Sequence, residues 1–488
     1  MPDTKSLSKH PDVQIAVENF GPIEKAEIDL RPLTVFVGES NTGKTYLSAL
    51  IYALHRTFYG ISRVPWSPHR ILELASVHYS RHPIGSTQAL STETREVLEK
   101  LNVSGQPFKF SDSPQWLRDR LQSDLVNSER FKDELRRCFD LESASELIRF
   151  TDSRHDAMKI LLEVREENQI LWSFGIYNSG TEVTTDGSIS EDTVLRPDDR
   201  TALREALDTR DWRQEPVRGF SWIAPTKSYY LPAARSGIMQ SHGMIASSLV
   251  DRATRVGLEQ FSEIPVFSGM IADFLKQIIN YDERRWFSDE MSGIVKVLED
   301  EVLRGEIEVR RPATGYPEFR YRPQKSEQTL RMNRSSSMVS ELAPLVLFLH
   351  GVVQVGDTLI IEEPEAHLHP AAQTKVALTL ARLVRAGVRV IITTHSNWLL
   401  EQISNLVREG EVMKIEENQT ESETWLTKEE VGAWWFRTDK PVEEISFEHI
   451  AGIEPEEYGE VAEELYNRSV DLRGQLAETA GGTEVEQE

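Results

Sequence analysis

Cysteine is almost absent from this sequence. Cys138 is the single cysteine among 488 residues, so the chain can form neither an internal disulfide nor a cysteine-based zinc site. Its spacing from Phe131 and Leu135 is typical of the apolar face of a helix. We therefore interpret Cys138 as a core thiol.

Long apolar runs and surplus positive charge are also missing. No run approaches the roughly 18 apolar residues that a membrane helix needs, and the N-terminus lacks the apolar centre of a signal peptide. We therefore expect a cytoplasmic protein without a membrane partner. The formal net charge of −24 argues against broad, sequence-independent binding to nucleic acid, because neutralising phosphates requires surplus Lys and Arg. A local basic patch is compatible with this charge.

The strongest motif that is present is a glycine loop between an apolar strand and a helix. A G-x-x-x-x-G-K-T pattern follows LTVFVG, and apolar residues at helical spacing follow the pattern. Glycines let successive N–H groups point at phosphate oxygens, the lysine reaches the β- and γ-phosphates, and the threonine hydroxyl binds Mg²⁺. The sequence predicts a site for ATP and Mg²⁺ at Gly38, Glu39, Ser40, Asn41, Thr42, Gly43, Lys44 and Thr45.

A second apolar strand ends in two carboxylates, in the run LIIEE that closes with Glu362 and Glu363. Ligands of open α/β folds bind at the carboxyl edge of the sheet, where such residues lie. We expect Glu362 to hold the metal through water and Glu363 to polarise the attacking water. A solvated acidic turn is the alternative, which a phosphate loop in the same chain disfavours.

The order of the remaining patterns predicts an α/β fold with a parallel core sheet and helices on it. We expect the first part of a nucleotide-binding head at 1–58, an inserted, mainly helical lobe with a small hairpin at 59–217, and the rest of the head at 218–473. The acidic, apolar-poor tail at 474–488 is predicted to be disordered.

Several motifs together resemble the ABC-type P-loop ATPase heads of the OLD family and its relatives. They are VGESNTGKT, EEPEAHLHP from Glu362 to Pro370, and TTHS, with NFGPIEKAEIDL and YLPAARSG as supporting segments. The resemblance covers about 13–58 and 218–465, and RecF and SMC proteins share the general head architecture. It implies an ABC-type head with an N-terminal antiparallel sheet and a parallel core sheet.

The resemblance also implies roles for particular residues. ATP binds between two heads of the family, which implies a homodimer or a higher even oligomer. A signature segment from the second head would then be Ser335, Ser336 and Ser337, and His395 would be the switch histidine that senses the γ-phosphate. An ordinary helix N-cap for the serines and a structural role for the histidine are the alternatives.

Three further features allow more than one interpretation. His367 and His369 fall where such heads carry the loop that couples the two sites, and metal binding is the disfavoured alternative. Arg235 would suit a phosphate or a neighbouring carboxylate. The basic span 304–334 contains interleaved aromatic residues that could hold nucleic acid, although charged protection of a hairpin edge is favoured.

The function that we expect is an ATP-driven switch or scaffold for a separate effector. The residues after His395 contain no D-x-D cluster, so we expect neither the TOPRIM nuclease domain of OLD proteins nor nuclease activity. Similar ATPase subunits occur in antiphage systems such as Septu and PARIS, where a separate nuclease or toxin is the effector. A RecF- or SMC-like DNA repair ATPase is the second possibility, and a transporter head is disfavoured.

Overall fold

The computed structural model describes residues 11–58, 61, 108–113, 115–127, 129–149, 157–179, 182–195, 227–253, 267–281, 289–311, 316–416, 424–450, 452–453 and 455–483. Two large sheets organise these residues, one antiparallel and the other mainly parallel. Within these ranges, no helix has both the length and the apolar character to cross a membrane.

The strands and helices are numbered along the described chain. The strands are β1 (Asp12–Phe20), β2 (Ile23–Asp29), β3 (Leu33–Gly38), β4 (Phe108–Lys109), β5 (Met158–Glu166), β6 (Gln169–Ser179), β7 (Glu182–Ile189), β8 (Val194–Leu195), β9 (Ser228–Leu231), β10 (Gly305–Arg310), β11 (Glu318–Pro323), β12 (Leu330–Arg331), β13 (Thr358–Glu362), β14 (Arg389–Thr394), β15 (Val431–Phe436) and β16 (Glu443–Glu444). The helices are α1 (Lys44–Thr57), α2 (Gln115–Val126), α3 (Glu129–Phe139), α4 (Arg235–Ala253), α5 (Gly269–Ile279), α6 (Asp289–Val297), α7 (Ser337–Gly351), α8 (Pro370–Arg385), α9 (Asn397–Glu416) and α10 (Glu456–Thr483).

The antiparallel sheet has the strand order β2-β1-β5-β6-β7. Its strands form because apolar residues alternate with polar ones, so that one face can be buried. Along β5 every second side chain is buried, namely Met158, Ile160, Leu162 and Val164. The sheet covers α1, the helix that follows the glycine loop, and shares one apolar core with it.

The described part of 59–217 differs from the predicted lobe. The predicted hairpin is present as β5 and β6, but these strands and β7 extend the N-terminal sheet, because β5 pairs with β1 from Asp12 opposite Arg165 to Glu18 opposite Lys159. This pairing corrects the predicted boundary at residue 59. A pairing between strands about 140 residues apart has no local sequence signature. Residues 62–107 and 196–226 lie outside the described ranges.

The second sheet has the order β16-β15-β3-β14-β13-β9 and places the predicted site. The strands from β15 to β9 are parallel, and only the short β16 is antiparallel. The strands β3, β13 and β14 are mainly apolar and are buried along their whole length, as expected for strands covered on both faces. Their carboxyl ends therefore lie side by side at one edge.

Two apolar cores lie on opposite faces of this parallel sheet. Phe36, Ile360 and Ile391 face α1 and the antiparallel sheet. Their chain neighbours Val35 and Leu359 face the layer formed by α4 to α9. Each such buried aliphatic side chain contributes about 1.5–3 kcal/mol. This layering confirms the predicted fold, an ABC-type P-loop NTPase head with an antiparallel N-terminal sheet and a parallel core sheet.

The basic span forms a small sheet in the order β10-β11-β12. Phe319 is buried in the core, and Tyr321 donates its hydroxyl hydrogen to the carbonyl of Leu303 at 2.7 Å. Arg320 pairs with Glu318 at 3.1 Å, and Arg322 pairs with two glutamates of β10. These aromatic rings and cations have partners within the protein, which favours the hairpin-edge interpretation over a stacking platform for nucleic acid.

The C-terminal segment is a long helix. The predicted disordered tail at 474–488 is corrected over its first ten residues, because α10 continues to Thr483. The prediction rested on low apolar content, which argues against a packed core but not against a helix. Gln475, Leu476, Ala477 and Glu478 all have high helix propensity. Residues 484–488 lie outside the described ranges.

Candidate ATP-binding site

Two glycines shape the predicted phosphate loop. Gly38 ends β3 with a φ of 138°, and Gly43 precedes α1 with a φ of 104°, both in the region that favours glycine. A Cβ atom on Gly38 would lie 1.9 Å from the carbonyl oxygen of Phe436 in β15. One on Gly43 would lie 2.5 Å from the side chain of Ile23. The loop therefore needs glycine at both ends for steric reasons.

Lys44, the first residue of α1, lies under the loop. Its Nζ donates to the carbonyl oxygen of Gly38 at 2.9 Å and to that of Glu39. Burial lowers the pKa of Lys44 to about 8, against the raising effect of nearby carboxylates, of which Glu363 is the strongest. The ammonium group is thus partly shielded from water, where its attraction to a phosphate is stronger than in bulk solvent.

The other predicted loop residues differ in exposure. Thr42 is buried and donates to the carbonyl of Glu39 at 2.8 Å, which closes the loop. The Glu39 carboxylate accepts a 2.8 Å hydrogen bond from Thr438, in the turn after β15. Ser40, Asn41 and Thr45 are exposed. The Thr45 hydroxyl therefore lies at the surface of the loop, as a metal-binding hydroxyl should.

Glu362 ends β13 beside the loop and is held from the neighbouring strand. Its Oε1 accepts from the Tyr230 hydroxyl at 2.7 Å, and its Oε2 accepts from the backbone N–H of Ala233 at 2.8 Å. The Tyr230 oxygen also lies 3.0 Å from Oγ of Ser48 in α1. Each carboxylate oxygen keeps a second lone pair for a water molecule. Tyr230 thus connects the two predicted motifs, a role that sequence reasoning missed.

Tyr230→Phe should lower the free energy of unfolding by about 1–3 kcal/mol, because it deprives a buried carboxylate oxygen of its donor. Burial, reinforced by Glu362, raises the pKa of Tyr230 well above its ordinary value, so the hydroxyl remains a donor across the accessible pH range. Urea denaturation measures the change. Tyr229→Phe is the matched control, since Tyr229 faces the other core. Equal losses in both variants would refute an anchoring role for Tyr230.

Glu363 follows β13 in an uncommon backbone conformation. Its φ is 44°, a value that few residues other than glycine adopt. Its N–H donates to the Thr393 carbonyl at 2.9 Å and approaches the Thr393 hydroxyl at 3.2 Å. Its carbonyl accepts a 2.9 Å hydrogen bond from Arg235. The side chain is 43% exposed and so projects toward solvent at the sheet edge.

His395 follows β14 and faces Glu363. Its Nε2 lies 3.9 Å from Oε1 of Glu363. Burial and then the charge of Lys44 lower the pKa of His395, while Glu363 and a backbone hydrogen bond to Gly38 act in the opposite direction. The net shift is downward from 6.5, so the imidazole is mainly neutral at pH 7. A neutral ring retains one N–H donor for a phosphate oxygen.

Glu365 fixes the position of His395, and sequence reasoning missed it. Its Oε1 accepts from the Thr394 hydroxyl at 2.6 Å and from the backbone N–H of His395 at 2.8 Å. Burial raises the pKa of Glu365, and its Oε2 is buried without a hydrogen-bond partner among the described residues. The signal was available in EEPEAHLHP, where Glu365 is a third acid close to the predicted site.

The charge balance of the site fits a divalent cation together with a polyphosphate. Carboxylates outnumber the single ammonium of Lys44 among the residues gathered here, namely Glu39, Glu362, Glu363 and Glu365. In the described ranges no three His, Cys, Asp or Glu residues are grouped to hold a metal alone. Mg²⁺ usually combines one or two protein ligands with phosphate oxygens and waters, which this donor set allows.

The predicted signature serines begin α7. Ser336 is the N-cap and accepts a 3.4 Å hydrogen bond from the N–H of Val339, while Ser335 donates to the Met332 carbonyl at 2.7 Å. Ser336 and Ser337 are exposed. Capping and a contact with a second molecule are compatible, because the side of the helix N-terminus that faces solvent remains open.

The two histidines of the coupling loop are separate from this cluster. His369 is the N-cap of α8 and accepts from the N–H of Ala371 at 3.3 Å, which gives it a local structural role. His367 is exposed and has a φ of 59°. Neither belongs to a group of potential metal ligands in the described part of the chain.

A glycine loop at the carboxyl edge of a parallel sheet, with carboxylates and a histidine at the ends of adjacent strands, is the arrangement of a P-loop ATPase. A family model agrees with this class. The model of the AAA ATPase domain matches residues 13–111 and 246–400, slightly more than half of the chain, and the protein belongs to that family.

Comparison with solved structures gives distant similarity to heads of SMC proteins. An SMC head bound to the C-winged helix domain of ScpA has 11% identity and a TM-score of 0.38, covering 89% of this chain and 97% of that one. An SMC head domain from Thermotoga maritima has 10% identity and a TM-score of 0.35, covering 90% and 99%. These low scores add no weight to the fold assignment, which rests on sheet order and loop geometry. A comparison with curated proteins gives no match.

Proposed function

We propose that the chain binds ATP at Gly38–Thr45 and hydrolyses it with Glu363 as the general base. The observation that supports this most directly is the placement of Glu363 and His395, 3.9 Å apart, beside the buried ammonium of Lys44. Lys44 would bind the β- and γ-phosphates, and the neutral imidazole of His395 would donate to the γ-phosphate. Glu363 would orient a water molecule and accept its proton.

Mg²⁺ would be held by the Thr45 hydroxyl and, through water, by Glu362, and it would neutralise negative charge on the β- and γ-phosphate oxygens. Glu362 is already oriented by Tyr230 and Ala233, so its carboxylate does not need to reorganise when the nucleotide binds. Preorganised groups of this kind account for much of the rate enhancement in phosphoryl transfer.

The active assembly in this proposal is a homodimer, or a higher even oligomer, with ATP between two heads. The residues of one chain leave one side of the γ-phosphate open. The exposed N-terminus of α7, with Ser335, Ser336 and Ser337, is suited to cover that side in the second copy, since a helix N-terminus carries partial positive charge. ATP that contacts both heads would favour the closed pair by its higher affinity for that state.

A mixing experiment tests the shared site. Ser336→Arg blocks the signature side, Lys44→Ala blocks the phosphate side, and each variant alone should be inactive. In mixed pairs one composite site is intact, so an equal mixture with random pairing should recover roughly a quarter of wild-type turnover per subunit. Steady-state phosphate release measures this recovery. Full activity of Ser336→Arg alone, or no recovery after complete subunit exchange, would contradict the shared site.

For the biological role we propose a cytoplasmic ATP-dependent switch that holds or releases a separate effector, such as a nuclease or toxin, in antiphage defence. In this proposal the effector carries the downstream activity, and the chain itself cleaves no nucleic acid. The alternative is a DNA-binding ATPase of the RecF or SMC type. The net charge of −24 and the internal pairing of the hairpin arginines favour the first role.

A further inference from the structure

A buried ion pair lies behind the end of β13 and joins Arg235, for which the sequence leaves a phosphate or a neighbouring carboxylate open as partner, to a carboxylate of α7. The side chains of Arg235 and Glu341 are 2% and 0% exposed, and Nη2 lies 2.7 Å from Oε1. Arg235 begins α4, whereas Glu341 lies in the second turn of α7. A buried pair is favourable only when further hydrogen bonds satisfy its charges, so the other contacts of Arg235 decide what it does.

The guanidinium of Arg235 holds several backbone carbonyl oxygens. It donates to those of Pro232 at 3.1 Å and Glu341 at 3.2 Å. It also donates to the carbonyl of Glu362 and, at 2.9 Å, to that of Glu363. The last two carbonyls belong to the peptide planes on either side of the Glu363 Cα atom. Fixing both planes fixes the direction in which the Cα–Cβ bond of Glu363 leaves the backbone, and it stabilises the backbone at a φ of 44°.

The other end of this contact reaches the proposed interface between heads. Glu341 lies five residues after Ser336, within the same helix. A helix moves as a rigid rod over such a short distance, so a shift of the α7 N-terminus also displaces the Glu341 carboxylate. Arg235 must follow that charge, because an unpaired buried ion costs several kcal/mol.

We propose that Arg235 is a positioning residue that sets the Glu363 carboxylate for attack and connects it, through Glu341, to the helix that begins at Ser336. The inference deepens the proposed ATPase site and rests on it. Docking of a second head against the N-terminus of α7 would be transmitted through Glu341 and Arg235 to the peptide planes of Glu363. The general base of one site would thus respond to occupancy of the other.

Arg235→Lys tests this, because lysine keeps the positive charge for Glu341 but one ammonium cannot reach all of the carbonyl oxygens. We expect kcat to fall about 10²-fold, the cost of a small misplacement of a reacting group, with KM for ATP changed less than about twofold. The matched control is Arg385→Lys. Arg385 also pairs with a glutamate, Glu430 at 3.0 Å, and donates to a carbonyl, that of Trp425 at 2.8 Å, but it is remote from the site.

Both substitutions should lower the melting temperature. At temperatures where both variants are folded, only Arg235→Lys should have a lower kcat. Unchanged kcat in Arg235→Lys would overturn the positioning role. If that variant does not fold, Glu341→Gln replaces it: the isosteric side chain removes the charge that orients Arg235, and a normal kcat would likewise overturn the proposal.

Wild type and Glu363→Gln are assayed in parallel to separate this inference from the proposed function. Absent wild-type turnover would reject the ATPase assignment itself, whereas full turnover in Glu363→Gln would reject only Glu363 as the general base. If wild type hydrolyses ATP, Glu363→Gln does not, and Arg235→Lys has a wild-type kcat, only the role of Arg235 is rejected. The double variant Arg235→Lys/Glu341→Gln should be no slower than the slower single variant, because both act through one contact.

Discussion

Lys44→Ala is expected to weaken ATP binding at least about a hundredfold, because a charged donor to phosphate contributes about 1.5–3 kcal/mol per hydrogen bond and Lys44 binds two phosphates in the proposed site. Alanine keeps helix α1 intact, since it has the highest helix propensity. Equilibrium binding of a fluorescent ATP analogue measures the affinity. An unchanged affinity of Lys44→Ala for ATP would rule out Gly38–Thr45 as the nucleotide site.

The matched control is Lys375→Ala, because Lys375 forms only an exposed ion pair with Glu301 at 2.6 Å. The affinity of this variant for ATP should equal that of wild type.

The pH dependence of ATP binding by the wild-type protein offers a second check. The pKa of Lys44 is lowered to about 8, so the ammonium form required for phosphate binding is present below that pH and is lost above it. Affinity should therefore fall as pH rises through about 8, and Lys44→Ala should lack this fall.

The central sheet and its site motifs could be predicted because their information is local. Mainly apolar runs identify β3, β13 and β14 as buried parallel strands, and parallel strands present their carboxyl ends at one edge. The site residues lie at the carboxyl ends of these strands: Gly38–Thr45 at the end of β3, Glu362 with Glu363 at the end of β13, and His395 directly after β14. Once the strands are assigned to one parallel sheet, these residues are expected along its carboxyl edge, and the observed order β3-β14-β13 makes them neighbours.

The supporting residues could not be predicted, because their roles depend on contacts between distant parts of the chain. Tyr230 reaches Glu362 across 132 positions, and Arg235 reaches Glu363 across 128. Both lie in YLPAARSG, a segment that supports the family resemblance and in which Arg235 is expected to meet a phosphate or a carboxylate, but the sequence does not show which distant residues the two side chains contact. The extension of the N-terminal sheet by β5 could not be predicted either, because it too depends on a contact between distant parts of the chain. Strand alternation predicts that β5 has a buried face but not which strand it pairs with.

Glu363→Gln should bind ATP with nearly wild-type affinity and hydrolyse it at least about a hundredfold more slowly, because loss of a general base costs 10²–10⁴ in rate. Glutamine has the same size and can still contact a water molecule, but it cannot accept the proton. The backbone contacts of Glu363 with Thr393 and Arg235 do not involve the side chain and should persist. Single-turnover hydrolysis of labelled ATP isolates the chemical step from product release.

The variant also separates catalysis from assembly. If ATP closes two heads and hydrolysis opens them, Glu363→Gln with ATP should accumulate as the closed pair, while Lys44→Ala with ATP should not. Sedimentation velocity with and without ATP distinguishes these states. Glu301→Gln, which alters an exposed carboxylate at the other end of the Lys375 ion pair, should match wild type in both assays. Wild-type turnover by Glu363→Gln would place the general base elsewhere, and the buried carboxyl of Glu365, next to His395, would then be the residue to test.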